Sequence, residues 1–248
     1  MLVSIVIPYY KDKKNIKSSV ISALKQTYKN IEILIIDNEN SLLSKNILNT
    51  ISKKSKKIKI FSNKKKYNYA GIGRNLGIKK SKGEFIAFLD SDDYWHKDKI
   101  KLQLKKSLKE NIDVLFTSFK ALNENKRIVY KVNPPNKLTF ADLVKSCPVC
   151  CSSAMIRKRC LKKIKFNNYK TKEDYELWLK LSIAGFNIQT LNRYLTNYNV
   201  RNSSLSSFHL NKLQNAFLIY YKSLNFKFHY SIYCVIRLYY NALKKKFL

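Results

Sequence analysis

Phe85-Ile86-Ala87-Phe88-Leu89-Asp90-Ser91-Asp92-Asp93 is the stretch on which the reading of this chain turns. Its five leading apolar residues suit a strand buried on both faces of a sheet. The run stops in three carboxylates within four residues. Like charges that close together are expensive to bury unless a cation neutralises them. Hard oxygen donors at this density suit Mn²⁺ or Mg²⁺, held by one or two protein carboxylates together with substrate phosphates. The carboxyl end of a strand in an open α/β sheet is also where such folds place ligands. The competing reading makes Asp92 or Asp93 the cap of a helix starting near His96. Capping needs one carboxylate rather than three, which favours the metal–phosphate reading.

The flanking sequence repeats one unit. Apolar runs at 2–7, 31–36, 58–61 and 84–89 read as strands, and helical patterns at 13–26, 43–52, 70–80 and 97–110 separate them. Asp12 is placed to cap the first helix, whose Ile16, Val20, Ile21 and Leu24 share a face. Gly71 and Gly73 weaken the start of the third helix. Strands alternating with helices predict an α/β fold: a Rossmann-like, mostly parallel sheet with right-handed crossovers, flanked by helices. Two of its strands end at Asp37 and Asp90, so both acids fall on one rim.

Beyond residue 113 the pattern changes. Strands are expected at 114–119, 128–132, 153–156, 188–191 and 194–200, with a helix at 174–184 closed by Gly185. From about Phe208 the chain becomes a basic, aromatic helical tail. Val235, Leu238 and Tyr239 share a helical face there, and Lys244-Lys245-Lys246 follow. Such a tail suits a helix lying on an acidic membrane surface. The alternatives are that it packs on its own domain or pairs with a second copy as a homodimer.

The 248 residues include 49 Lys and Arg against 16 Asp and Glu, a net charge of +33. That excess points to a polyanionic partner: nucleic acid, an acidic membrane or phosphorylated ligands. Abundant Lys, Ile, Asn and Tyr throughout match an AT-rich coding sequence, which discounts part of the charge. With 45% hydrophobic residues the chain can build a large core, which excludes global disorder. Five cysteines form an odd set, as expected of reduced thiols in the cytosol. Cys147-Pro148-Val149-Cys150-Cys151 lacks the second ligand pair of a zinc site. Residues 2–7 are too short for a signal peptide, and no apolar run reaches the about 18 residues of a membrane span. The expected location is cytoplasmic, peripheral on the inner face of the cytoplasmic membrane.

The order of these pieces resembles glycosyltransferase family 2, whose catalytic domain has the GT-A fold. The resemblance rests on Val3-Ser4-Ile5-Val6-Ile7-Pro8-Tyr9-Tyr10, Ser22-Ala23-Leu24-Lys25-Gln26-Thr27 and Ile33-Leu34-Ile35-Ile36-Asp37. Gly73-Arg74-Asn75-Leu76-Gly77, Leu89-Asp90-Ser91-Asp92-Asp93 and Lys172-Glu173-Asp174-Tyr175-Glu176-Leu177-Trp178 complete it. Any one of these is weak; six in order are specific. The resemblance implies a catalytic domain over 1–207, with a nucleotide-binding half at 1–119 and an acceptor half at 120–207, and a tail over 208–248.

It implies roles residue by residue. Pro8 and Tyr10 stand where the family's first loop packs on base and ribose, and Asp37 where an acid bonds the uracil ring. Arg74 stands near the nucleotide and its phosphates, a place for a planar bidentate donor. Asp90 faces ribose or metal, Asp92 ligates the cation, and Asp93 supports them or caps a helix. Asp174 is the general base, taking a proton from an acceptor hydroxyl. The implied activity is inverting, metal-dependent transfer from a nucleotide-sugar, by family frequency a UDP-sugar. The acceptor is a saccharide or lipid-linked saccharide of surface polysaccharide, lipooligosaccharide or capsule biosynthesis. Two departures stand out. Asn38-Glu39-Asn40 follows Asp37 where the family commonly has a further acid and a glycine. Arg201 stands where relatives often have histidine; arginine has no lone pair for a metal but can hold a phosphate. Two other classes compete. A nucleic-acid-binding protein lacks here any helix-turn-helix, zinc finger or RNP motif, and a nucleotidyltransferase lacks its glycine-rich phosphate loop.

Overall fold

The computed structural model describes residues 1–64, 69–200 and 210–244. The first half runs β1 (Val3–Tyr9), α1 (Ile16–Leu24), β2 (Ile31–Asp37), α2 (Leu42–Ser52), β3 (Ile58–Ser62), α3 (Ala70–Lys80), β4 (Phe85–Phe88), β5 (Tyr94–Trp95) and α4 (Lys99–Lys109). The second half runs β6 (Val114–Leu122), β7 (Ile128–Val132), α5 (Phe140–Lys145), β8 (Met155–Arg157), α6 (Glu173–Ile183), β9 (Ile188–Asn199), α7 (Leu210–Leu218) and α8 (Phe228–Lys244). A five-residue π-helical turn, Ile219–Ser223, follows α7.

The strands form one sheet in the order β3-β2-β1-β4-β8-β6-β9-β5, with β7 on β6. Pairings among β3, β2, β1 and β4 are all parallel. Past β4 the sheet is mixed: β8 runs antiparallel to β4 and β6, while β9 runs parallel to β6. The fold is thus the expected α/β sheet flanked by helices, its parallel part confined to the first half. The two expected strands near 190 are one. Asn192 and Arg193 fall where Leu191 pairs with Thr117 and Tyr194 with Ser118, so a bulge absorbs them.

Both faces of the parallel strands are buried, and alternate residues feed two cores. Val6, Leu34, Ile36, Ile86 and Phe88 pack with Trp178 and Leu181 of α6. Ile5, Ile7, Ile33, Ile35, Phe85 and Ala87 pack with Ile16 and Val20 of α1, Leu48 of α2, and Ile100 and Leu104 of α4. On α3 two glycines serve close approach. A Cβ on Gly77 would stand 2.3 Å from Val6 Cγ1, and one on Gly73 2.6 Å from Asn38 Nδ2. Glycines of low helix propensity are therefore what lets α3 lie against the sheet.

The tail joins the first core. Ala216, Ile219, Tyr220, Cys234, Val235 and Leu238 all belong to it. The face carrying Val235 and Leu238, which the sequence suggested for a membrane, turns inward. Tyr220 donates to the Val144 carbonyl at 2.8 Å and shares a 2.6 Å hydroxyl–hydroxyl bond with Tyr175 of α6. Asn215 donates to Thr171 Oγ1 at 2.9 Å, just ahead of the same helix. Among the described residues no helix is long and apolar enough to cross a membrane.

Candidate active site

Parallel pairing in register fixes the rim. Tyr9 lies opposite Asp37 and Val6 opposite Phe88, so the loops leaving β1, β2 and β4 emerge side by side. The Asp90 carboxylate, partly open to solvent, accepts from Arg74 Nη2 at 2.6 Å. Its own N–H donates to Ser152 Oγ at 3.0 Å, and that hydroxyl donates to Asp93 Oδ2 at 2.5 Å. Ser91 donates to Asp12 Oδ2 at 2.9 Å. Asp12 is thus not the side-chain cap of α1 but a buried acid that also accepts from Asn15 at 2.9 Å and fixes the acidic loop.

The three carboxylates of the opening run are not equivalent. Asp93 is 1% exposed and accepts from the Asn199 N–H at 2.8 Å as well as from Ser152. Burial pushes its carboxyl well above the usual range, and Asp92 and Asp90 push it further, which favours the neutral acid. It is a structural strut joining the loop to the end of β9. Asn199 also donates its side-chain amide to the Asp92 carbonyl. Asp90 and Asp92 are half-buried, and the Asp90 side chain is partly open to solvent. None of the three caps α4, which begins later at Lys99.

Arg74, 3% exposed, stands between the two halves. Nη2 holds Asp90 at 2.6 Å and Nη1 holds Glu173 Oε1 at 2.8 Å. Its guanidinium lies over the Phe166 ring, 5.3 Å from the centroid. Burial alone would lower its pKa, but Asp90 and the acids of α6 outweigh that and keep it charged. Arg74 therefore engages carboxylates with both terminal nitrogens and binds the acidic loop to the start of α6.

Glu173 and Asp174 open α6 after Lys172, whose φ of 67° is left-handed. That backbone turns the helix start toward the rim. Burial drives Glu173 up to about 7, with Arg74 restraining the rise. Burial raises Asp174 too, while Arg74 and Lys172 draw it back and Asp90 adds to the rise. Asp174 Oδ1 accepts from the Tyr175 N–H at 2.8 Å, and the carboxyl stays partly exposed. A half-open, unusually basic aspartate beside an arginine-bridged acid can take a proton from a bound hydroxyl.

The remaining expected residues are placed as follows. Pro8 is buried within β1, and Tyr10 just beyond it is 46% exposed. Asp37 is 1% exposed and accepts from the Glu39 and Asn40 N–H groups at 3.0 Å each and from Ser44 Oγ at 2.7 Å. It shapes the Asn38-Glu39-Asn40 loop, where Asn40 takes a φ of 57° and Lys11 donates its N–H to Glu39 at 3.1 Å. A ligand donor would meet Asp37 at lone pairs those three bonds leave over. Arg201 lies outside the described residues. Glu173, Ser152, Asn199 and Asp12 went unrecognised as parts of the site. Only Glu173 had a sequence signal, its place beside Asp174. Among the described residues no group of three or more His, Cys, Asp or Glu converges as a metal cage.

Comparisons with known proteins bear on the family and the fold. The Glycosyl transferase family 2 profile matches residues 4–165. The chain is 35% identical over 208 residues to the Escherichia coli UDP-Glc:alpha-D-GlcNAc-diphosphoundecaprenol beta-1,3-glucosyltransferase WfgD, covering 83% of this chain and 80% of that one. It is 34% identical over 245 residues to WfaP of Escherichia coli, named for the same activity, covering 98% of this chain and 95% of that one. Among solved structures, Staphylococcus aureus TarS 1-349 in complex with UDP-GlcNAc superposes with a TM-score of 0.75 at 21% identity, over 95% of this chain and 70% of that one. A rim of parallel-strand loops carrying Asp90 and Asp92, tied by Arg74 to the helix of Asp174, sits in a chain that belongs to glycosyl transferase family 2.

Proposed function

We propose that this glycosyltransferase is inverting and metal-dependent, moving a sugar from a UDP-sugar to a saccharide or lipid-linked acceptor in surface polysaccharide biosynthesis. The observation that carries the reading is Arg74, whose 2.6 Å and 2.8 Å bonds bring the Asp90 loop and the start of α6 into one site. A donor at the rim and an acceptor at Asp174 then lie within one reaction volume. The names of WfgD and WfaP support a UDP-glucose donor and a diphosphate-lipid-linked acceptor, and their β-1,3 products support inversion.

In this reading Pro8, Tyr10 and Asp37 receive the base and ribose, and Arg201 contacts the diphosphate. Arg74 keeps Asp90 oriented. Asp90 and Asp92 fit Mn²⁺ or Mg²⁺: both offer hard carboxylate oxygens at the strand end and neither residue is fully buried, whereas Asp93 is. A cation held there offsets the charge that develops on the leaving diphosphate. Asp174 accepts the proton of the acceptor hydroxyl as its oxygen attacks the anomeric carbon. The bond to the diphosphate breaks on the opposite face, and its electron pair leaves with UDP. Residues 1–207 carry the catalytic residues, and 208–248 are a tail whose α7 and α8 pack into the same core and bring the enzyme to an acidic membrane surface.

Release of UDP from a panel of UDP-sugars, with Mn²⁺ and with excess EDTA, tests the reading. We expect turnover with Mn²⁺, its loss in EDTA and its loss in Asp92→Ala with the fold intact. Full activity in EDTA removes the metal role. Thermal stabilisation by single-stranded DNA alone, and not by UDP with Mn²⁺, removes the transferase reading.

A further inference from the structure

Packing of the tail leaves an unusual surface. On α8 the residues Ser231, Cys234, Val235 and Leu238 face the core. The opposite stripe is apolar as well: Ile232 is 40% exposed, Tyr233 50%, Ile236 64%, Tyr240 65% and Leu243 53%. Spacings of three and four residues keep all five on one side. The solvent face of a helix packed on a globular core is normally polar, and here it is not. Phe228 and Tyr221, both exposed, widen the patch, with Phe217 stacked on Tyr221 at 5.4 Å.

The border of the patch is cationic. Arg237 Nη1 donates to the Tyr233 hydroxyl at 2.9 Å. Lys222 and Lys227 precede α8, and the sequence continues through Lys244-Lys245-Lys246. No Asp or Glu occurs anywhere after Glu176. A second copy would set these cations against themselves, so the charge argues against self-pairing. An anionic lipid surface takes both features at once. Tyrosine rings and aliphatic side chains enter the boundary between headgroups and acyl chains, and the cations meet phosphate headgroups. The same helix walls a cleft of about 260 Å³, through Leu238, Tyr239 and Ala242, whose other side includes Lys172, two residues before Asp174.

We propose that the outward stripe of α8, Ile232, Tyr233, Ile236, Tyr240 and Leu243, docks this protein flat on an anionic phospholipid bilayer. Docking holds the cleft at Lys172 near a surface where a lipid-linked acceptor resides. Only that second statement rests on the glycosyltransferase reading.

Co-sedimentation of the full chain with vesicles tests it, using phosphatidylcholine with phosphatidylglycerol against phosphatidylcholine alone at low salt. We expect binding to the anionic vesicles only, weakened by added salt. Ile236→Asp with Leu243→Asp should cut the bound fraction about tenfold or more, with unchanged thermal unfolding and unchanged UDP release onto a water-soluble acceptor. Arg237→Glu, which leaves the apolar stripe intact, should also weaken anionic binding. The proposal is overturned if the wild type stays in the supernatant, if the double variant sediments equally, or if both lipids bind alike. It is overturned too if the wild type is a dimer without lipid and the double variant a monomer, since a second copy then covers the stripe. Donor binding is scored separately: vesicle binding without UDP-sugar turnover rejects the catalytic reading and leaves the docking face standing.

Discussion

The guanidinium of Arg74 closes on Glu173 at 2.8 Å across 99 residues of chain, and the pair is buried. The other terminal nitrogen of the same group holds Asp90, so one guanidinium ties the acidic loop after β4 to the start of α6. Arg74→Met leaves two partly or wholly buried carboxylates without their cation, a loss of about 3 kcal/mol or more, or roughly 10 °C in Tm for a chain of this size. Arg74→Lys should recover little, since a single ammonium does not span both acids. Thermal unfolding of both variants, of Glu173→Gln and of Arg74→Met/Glu173→Gln checks this. Additive losses in the double variant would show that the two residues do not couple.

Asp174→Asn keeps shape and burial but removes the proposed proton acceptor. Turnover should fall roughly 10²–10⁴-fold with UDP binding nearly unchanged. Glu173→Gln should act chiefly on stability, because Glu173 Oε1 is committed to Arg74. Steady-state kinetics beside UDP titration separates the two. A greater kinetic loss in Glu173→Gln makes Glu173 the base instead.

Asp174 must be ionised to accept a proton, and burial raises its pKa in the folded protein. Activity should therefore fall as pH drops, along an acid limb that lies above the range of an exposed aspartate. Lys172 draws Asp174 downward, so Lys172→Met should move that limb to higher pH. A pH profile of kcat for both proteins is the measurement. A limb that stays put or moves down belongs to another group.

Gly77 separates helix propensity from packing. In an exposed helix, Gly→Ala gains about 1 kcal/mol. Here the added carbon would stand 2.3 Å from Val6 Cγ1, a fully buried atom of β1. Gly77→Ala should lose about 1–3 kcal/mol instead, a fall of a few degrees in Tm. Val6→Ala in the same chain should recover part of the loss. A rise in Tm for Gly77→Ala alone would mean that α3 has room to move off the sheet.

The parts of the fold that were legible in the sequence are those set by local periodicity. The ranges 70–80 and 128–132 coincide with α3 and β7, and the parallel strands differ only at their ends. α5 was missed, although Thr139 and Asp142 form a reciprocal capping box at its start; six residues give too little periodicity to stand out. β5 has two residues and exists because β9 pairs with it. Asp12 and Asp93 look like caps and ligands in one dimension. Their partners, Ser91, Ser152 and Asn199, lie far away along the chain, where no spacing rule reaches. On α8 an apolar face was correctly expected, but there are two, and only packing decides which one turns inward.

The bond between the hydroxyls of Tyr175 and Tyr220 has a consequence for anyone who recombines relatives of this enzyme. It ties the turn after α7 to the residue next to the proposed base, so the tail is not a detachable module. A chimaera that exchanges the last forty or so residues would change the footing of the base helix unless both tyrosines travel together. Tail grafting becomes a matched transplant of donor and recipient contacts, and a poorly active hybrid would report a broken splice rather than a wrong substrate.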